Sequence, residues 1–126
     1  MVEEVQKKLE NELNLFKQCQ KEYQKTLNQR QMLSAQLNEN ESVQKELGLM
    51  KDGGGEVYKL IGPILVKQEL EEAKQNIKKR IDYISSELKR QDDTIATLDT
   101  KQDGHRENLT KLQQQFQQEQ MAKMRT

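Results

Sequence analysis

Apolar residues recur at alternating spacings of three and four along two long stretches of the sequence, on either side of a short, almost continuously apolar segment. This spacing places them on one face of an α-helix, in the heptad pattern of a coiled coil. The stripe of the first stretch comprises Val5, Leu9, Leu13, Phe16, Gln20, Tyr23, Leu27, Arg30, Leu33, Leu37, Asn40, Val43, Leu47 and Met50. The stripe of the second comprises Leu70, Ala73, Ile77, Ile81, Ile84, Leu88, Gln91, Ile95, Leu98, Gln102, His105, Leu109, Leu112 and Phe116. We predict coiled-coil helices over residues 1–51 and 67–126.

The two predicted helices match one another when the chain folds back on itself between them. An antiparallel register brings apolar stripe positions together along the whole length of both helices. The predicted facing pairs are Leu47 and Leu70, Leu37 and Ile81, Leu33 and Ile84, Tyr23 and Ile95, Leu9 and Leu109, and Val2 and Phe116. Gln20, Gln91, Gln102 and His105 replace aliphatic residues in the outer half. We therefore expect a firm base near the turn and mobile outer ends.

Residues 52–66 connect the helices and predict a glycine linker followed by a β-hairpin. The linker, 52–55, reads Asp-Gly-Gly-Gly and should break the first helix. Gly62 and Pro63 suit a two-residue type II′ turn that pairs Ile61 with Ile64. We expect the second helix to begin directly after the strand, near Val66 or Lys67.

The predicted hairpin is apolar on both faces, whereas a hairpin packed on one side only should alternate apolar and polar residues. An isolated two-stranded hairpin is marginal in water and exposes unpaired strand edges. The simplest cover is a set of similar hairpins that close a sheet or barrel. The predicted fold is therefore mainly α: a long antiparallel two-helix coiled coil with one β-hairpin at the helix-connecting end, which joins an oligomeric β-barrel.

The amino-acid composition indicates which kinds of fold and partner to expect. Of the 126 residues, 33% are hydrophobic and 33% charged, which is too polar for an ordinary globule of this length. The chain has 21 lysine and arginine residues and 21 aspartate and glutamate residues. Because it has no excess of basic residues, we do not expect a nucleic acid partner. No stretch approaches the roughly 18 apolar residues of a membrane span, and the first residues do not resemble a secretory signal. We expect a cytoplasmic protein without a membrane partner.

The residue types that carry catalysis are scarce. Cys19 is the only cysteine, so no internal disulfide or thiolate metal site is expected, and we interpret it as an unreactive helical thiol. His105 is the only histidine, and we interpret it as an ordinary coiled-coil residue. The glycine run lacks the spacing of a phosphate-binding loop. We expect no enzyme activity, no metal and no cofactor.

The hairpin and the residues after it resemble the β class of prefoldin subunits. The most specific part of the resemblance is Val57-Tyr58-Lys59-Leu60-Ile61-Gly62-Pro63-Ile64-Leu65-Val66-Lys67-Gln68-Glu69-Leu70. Further matches are Lys79-Arg80-Ile81-Asp82-Tyr83-Ile84 and Glu87-Leu88-Lys89-Arg90. The resemblance covers nearly the whole chain, although the helices alone would match many coiled coils. The glycine run at 53–55 is richer in glycine than is typical of the family.

The resemblance implies a single prefoldin-like domain in a hetero-hexamer of two α-type and four β-type subunits. Prefoldins are ATP-independent holdases that capture unfolded proteins, notably actin and tubulin, and deliver them to the cytosolic chaperonin. Their hairpins form a double β-barrel platform from which the coiled coils hang. Carried onto this sequence, the oligomerisation residues are Val57, Tyr58, Leu60, Ile61, Ile64, Leu65 and Val66.

The resemblance also implies client binding at the outer ends of the coiled coil. Apolar groups where helix ends fray, and flexible methionines beyond the last facing pair, suit varied apolar partners. The expected client-binding residues are Val2, Val5, Leu9, Leu112, Phe116, Met121 and Met124. Alternatively, these residues merely close the end of the coil. A scaffold or tether that pairs its heptads with a partner is the other open interpretation, although it leaves the hairpin unexplained.

Overall fold

The computed structural model describes residues 2–50 and 56–125, which form two helices and two strands in the order helix, strand, strand, helix. Helix α1 spans Val2–Leu49 and helix α2 spans Leu70–Arg125. Strand β1 spans Val57–Ile61 and strand β2 spans Ile64–Gln68. The predicted mainly helical fold with one hairpin between two long helices is confirmed. The predicted glycine linker lies outside the described residues.

The predicted start of the second helix, near Val66 or Lys67, is wrong. Strand β2 continues to Gln68 and α2 begins only at Leu70. The strand extends beyond the predicted hairpin because Lys67 and Gln68 also pair with residues of β1. The hairpin is therefore a full five-residue ladder on each side.

The chain divides into two compact units, and each contains a segment of both long helices. The inner unit comprises residues 29–90 and includes the hairpin. Its buried residues are Leu47, Ala73, Ile77 and Ile84. Met50, Val57, Leu70 and Ile81 pack against the first three of these and complete one apolar cluster. This cluster lies where the hairpin meets the helices.

The outer unit comprises residues 1–28 and 91–126. Its helix segments are antiparallel, because contacts step down α1 from Cys19 to Glu12 while they step up α2 from Leu98 to His105. Both contacts continue the predicted register of Tyr23 with Ile95. The buried residues of this unit are Val5, Cys19, Thr26, Leu98 and Gln102. Thr26 satisfies its buried hydroxyl by donating to the carbonyl of Glu22, with 2.8 Å between the oxygens.

The stripe of α2 is as predicted, but the stripe of α1 differs at three positions, one of which is Val43, at 44% exposure. Glu12 and Cys19 occupy the interior where Leu13 and Gln20 were expected, and Leu13 and Gln20 are exposed. Steps of three and four still alternate through Leu9, Glu12, Phe16 and Cys19. The helix therefore keeps a regular heptad and turns a carboxylate inward in place of a leucine.

Candidate functional site

The hairpin turn has the geometry that its two residues favour. Gly62 has a φ of 57°, a value that side chains disfavour, and the ring of Pro63 holds its own φ near −65°. This pair of signs is that of a type II′ turn, whose twist matches the strands on both sides. Ile61 pairs with Ile64 next to the turn, as predicted.

The strand register assigns each side chain to one of two hairpin faces. Side chains of paired residues share a face, so residues 57, 59, 61, 64, 66 and 68 lie on one side. Residues 58, 60, 65 and 67 lie on the other. Apolar residues dominate both faces, as the sequence predicted.

Almost all the apolar side chains of the hairpin are exposed. Leu60 is 67% exposed, and the other exposed members are Tyr58, Ile61, Ile64, Leu65 and Val66. Only Val57 is half-buried, because it packs on the apolar cluster of the inner unit. The two strands pair only with each other, so each has an outer edge whose N–H and C=O groups have no strand partner among the described residues. This concentration of apolar surface and open edges is the strongest candidate interaction site in the described chain.

One end of the hairpin carries a small polar cluster. The Tyr58 hydroxyl donates a hydrogen bond to the Glu56 carboxylate, and this bond raises the pKa of Tyr58 above its usual value. The Lys67 ammonium lies 3.8 Å from the same carboxylate group. These groups are well exposed, so they orient the strand ends rather than stabilise them strongly.

A groove of about 260 Å³ runs between the hairpin and the helices of the inner unit. Its lining includes the buried residues Leu47 and Ile77 and the exposed residues Lys59 and Arg80. The groove shows that the hairpin stands away from the helices along part of its length. Its attachment is concentrated at Val57.

The expected client-binding residues of the outer unit differ widely in exposure. Val5 is only 2% exposed, and Val2, Leu9, Leu112 and Phe116 are half-buried within the stripe. Met121 and Met124 are exposed, Met124 by 86%. Most of the apolar surface expected at this end is therefore covered while the two helices are together.

The interior of the outer unit contains a polar layer that the sequence did not predict. His105 Nδ1 lies 2.5 Å from Glu12 Oε1, and Asn108 Nδ2 donates to the same oxygen at 3.2 Å. The hydrogen bond from His105 is the main cause of a lowered pKa at Glu12; burial opposes it, and the bond from Asn108 adds to it. We call these three residues the polar layer.

Two further contacts lie close to the polar layer. The guanidinium of Arg106 lies over the ring of Phe16, 5.6 Å from its centroid, in a cation–π contact. The Cys19 thiol donates to the carbonyl of Leu98, with 3.6 Å between sulfur and oxygen. The predicted inert thiol thus lies at a buried stripe position.

Over residues 2–50 and 56–125, no group of three or more histidine, cysteine, aspartate or glutamate side chains is placed to hold a metal ion. Within the same ranges, neither helix is long and apolar enough to cross a membrane.

Comparisons with known proteins agree with the hairpin and its helices. The family model described as prefoldin subunit matches residues 10–116. The human protein named prefoldin subunit 6 is 47% identical over 98% of this chain and 95% of its own. Prefoldin subunit 6 of Arabidopsis thaliana is also 47% identical, over 92% of this chain and 89% of its own. These relatives confirm the expected resemblance to prefoldin subunits, and both carry the name of the sixth subunit.

A solved structure shares the fold at lower sequence identity. The crystal structure of the prefoldin beta subunit from Thermococcus strain KS-1 superposes with a TM-score of 0.56 and 22% identity. The match covers 88% of this chain and 90% of the other. At this identity the likeness concerns the arrangement of helices and hairpin.

Proposed function

The chain belongs to the prefoldin subunit family, and from this membership we propose that it is a β-class subunit of a hetero-hexameric, ATP-independent holdase. The hairpin is the assembly element and the outer coiled-coil ends are the client-contact element. The single observation that carries the proposal is the exposed apolar hairpin between two otherwise self-covering helices. Members of the family are chaperone subunits and not enzymes.

Assembly through the hairpin follows from the exposure of its side chains and edges. Neighbouring strands would satisfy the open N–H and C=O groups and cover both apolar faces at once. The proposed oligomerisation residues are Val57, Tyr58, Leu60, Ile61, Ile64, Leu65 and Val66. The proposed partners are two α-type subunits and the other β-type subunits of the complex.

Client contact at the outer ends is supported by the apolar character of that unit and by its two exposed methionines. Met121 and Met124 can meet a client while the helices are together, whereas Val5 requires the helices to part. Several weak contacts on separate subunits add through effective concentration, so a tight pocket is not needed. The proposed clients are unfolded proteins such as actin and tubulin, handed to the cytosolic chaperonin in the cytoplasm.

The decisive experiment removes each element in turn. The chain is mixed with the other subunits, the mass of the complex is measured, and aggregation of unfolded actin is followed with and without the complex. Removal of residues 1–9 and 117–126 should preserve the hexamer and weaken suppression of aggregation. Unchanged suppression by the truncated protein would move client binding away from the ends.

A coiled-coil scaffold or tether is the second candidate, and the long heptad stripes favour it. The two functions differ in what deletion of residues 56–66 does. A chaperone subunit assembled through its hairpin should lose its place in the hexamer. A scaffold that pairs through its helices should still form its complex with the partner.

A further inference from the structure

The polar layer places a carboxylate and an imidazole in the interior of the outer unit, where Thr26 and Gln102 are the buried uncharged polar residues. On the side of the helix ends, Val5 is almost fully buried and Leu9 and Leu112 are half-buried. On the inner side, Cys19 and Leu98 are buried and joined by the thiol hydrogen bond. Glu12 and His105 lie between these two apolar segments, with side chains 15% and 22% exposed.

Separating the helices has a different cost at the polar layer than at the apolar layers beside it. Parting an apolar layer exposes hydrocarbon to water, at about 25 cal/mol per Å². Parting Glu12 from His105 instead returns a carboxylate and an imidazole to full hydration, which offsets the lost hydrogen bonds. Separation therefore costs less at the polar layer than at the apolar layers beside it.

The charged side chains around the polar layer are exposed to solvent. Lys8 and Lys111 line the same open groove as Glu12 and Asn108. Arg106 pairs with Asp103 at 3.4 Å on the exposed side of α2. Lys8, Lys111 and Asp103 are exposed whether the helices are together or apart, so they do not resist separation. Arg106 is also exposed, but it loses its cation–π contact with Phe16 when the helices separate.

We propose that the polar layer is a break point at which the helix ends of the outer unit separate, and that the Cys19–Leu98 layer is where separation stops. Glu12 and His105 are then positioning residues, because they set how much apolar stripe is uncovered. The idea that the uncovered stripe captures clients rests on the proposed function, whereas the break point itself does not.

The test replaces the layer with an apolar one in the assembled complex. Glu12→Leu with His105→Leu should raise the cost of separation, since a well-packed apolar pair is often more stable than a buried pair that contains a charged group. Helix ends released from one another are marginally stable, so their amides exchange with solvent. Exchange over residues 2–9 and 109–119 should slow by about tenfold or more. Exchange over residues 19–28 and 91–98 should change little, and suppression of client aggregation should weaken.

The matched control is Glu10→Leu with Lys101→Leu, which adds two leucines at exposed positions. This control should leave exchange at the helix ends unchanged. Unslowed exchange at the helix ends of the layer variant would overturn the break point. Equal slowing at the helix ends and over residues 19–28 and 91–98 would overturn it as well. Exchange is measured without any client, so slowed exchange together with unchanged capture would support the break point and contradict client binding at the separated ends.

Discussion

Ile61 and Ile64 face each other across the Gly62-Pro63 turn, and both side chains are more than half exposed. If neighbouring hairpins cover them, Ile61→Asp with Ile64→Asp buries two charges and should prevent hexamer formation. Helical circular dichroism should stay close to that of the unchanged protein, because neither residue contacts α1 or α2 in the apolar cluster. Native mass spectrometry of the mixed subunits measures assembly.

The conservative control for this variant is Ile61→Val with Ile64→Val. It keeps the shape and β-propensity of the pair and should assemble normally. A hexamer of normal mass that contains the double aspartate variant would contradict the assignment of the hairpin as the assembly element.

Covalent closure of the outer ends tests whether the covered stripe takes part in capture. Lys8 and Lys111 line one groove and lie nearer the helix ends than Glu12 and His105. Lys8→Cys with Lys111→Cys, joined by a short bismaleimide in a Cys19→Ala background, should lose most suppression of client aggregation. The reason is that Val5, at 2% exposure, then stays covered.

The control for closure places the same linker in the inner unit. Gln36 and Tyr83 line one groove there, so Gln36→Cys with Tyr83→Cys can be bridged in the same way. This protein should suppress aggregation normally. Full suppression by the outer tethered protein would instead assign capture to groups that remain exposed when the ends are closed, such as Met121 and Met124.

Acid should loosen the outer unit through Glu12. The His105 hydrogen bond holds the pKa of Glu12 below the usual value of a glutamate, so ionised Glu12 contributes stability that is fully present above that usual value. That contribution is lost as the pH falls through the lowered pKa of the folded state. Below about pH 4.5, the amides at the helix ends should lose protection more steeply in the unchanged protein than in Glu12→Gln, which cannot titrate.

Glu10→Gln is the matched control for this pH dependence, because Glu10 is exposed two residues away on the same helix. Its exchange profile should follow that of the unchanged protein between about pH 3 and pH 6. If Glu12→Gln also follows that profile, the ionised carboxylate contributes nothing to the stability of the paired helix ends.

Two glycines should respond to alanine in opposite directions. Neither Gly62 nor Gly104 has an atom within 4 Å of an added Cβ, so only the backbone decides. Gly62→Ala should destabilise the hairpin by about 1–2 kcal/mol because of the positive φ. Gly104→Ala, within α2, should stabilise the helix by about 0.5–1 kcal/mol. Thermal unfolding of both variants checks the signs, and stabilisation by Gly62→Ala would contradict the turn assignment.

The sequence predicted the hairpin register well because the turn chemistry is local. Gly62 and Pro63 permit few two-residue turns, and the pairing of Ile61 with Ile64 then determines every other pair. The start of α2 was harder to place. Val66, Lys67 and Gln68 carry no strong helix-breaking signal, and their position in β2 depends on partners in β1.

The polar layer was missed for a physical reason. A stripe is chosen by hydrophobicity, so Leu13 was preferred to its neighbour Glu12, although both fit a helical spacing. Only the partner decides between them: His105 lies opposite and accommodates a carboxylate that an apolar neighbour would leave unpaired. Sequence periodicity describes one helix at a time, whereas the residue that turns inward here depends on the facing residue of the other helix.

The open edges of the hairpin also bear on the supply of the subunit in the cell. A chain without its partners presents two apolar faces and two strand edges of the kind that template further strand addition. An excess of this subunit would itself need protection from aggregation. Because the ten residues of β1 and β2 stay exposed in an unassembled chain, the cell would have to match its synthesis to that of its partners or remove the excess.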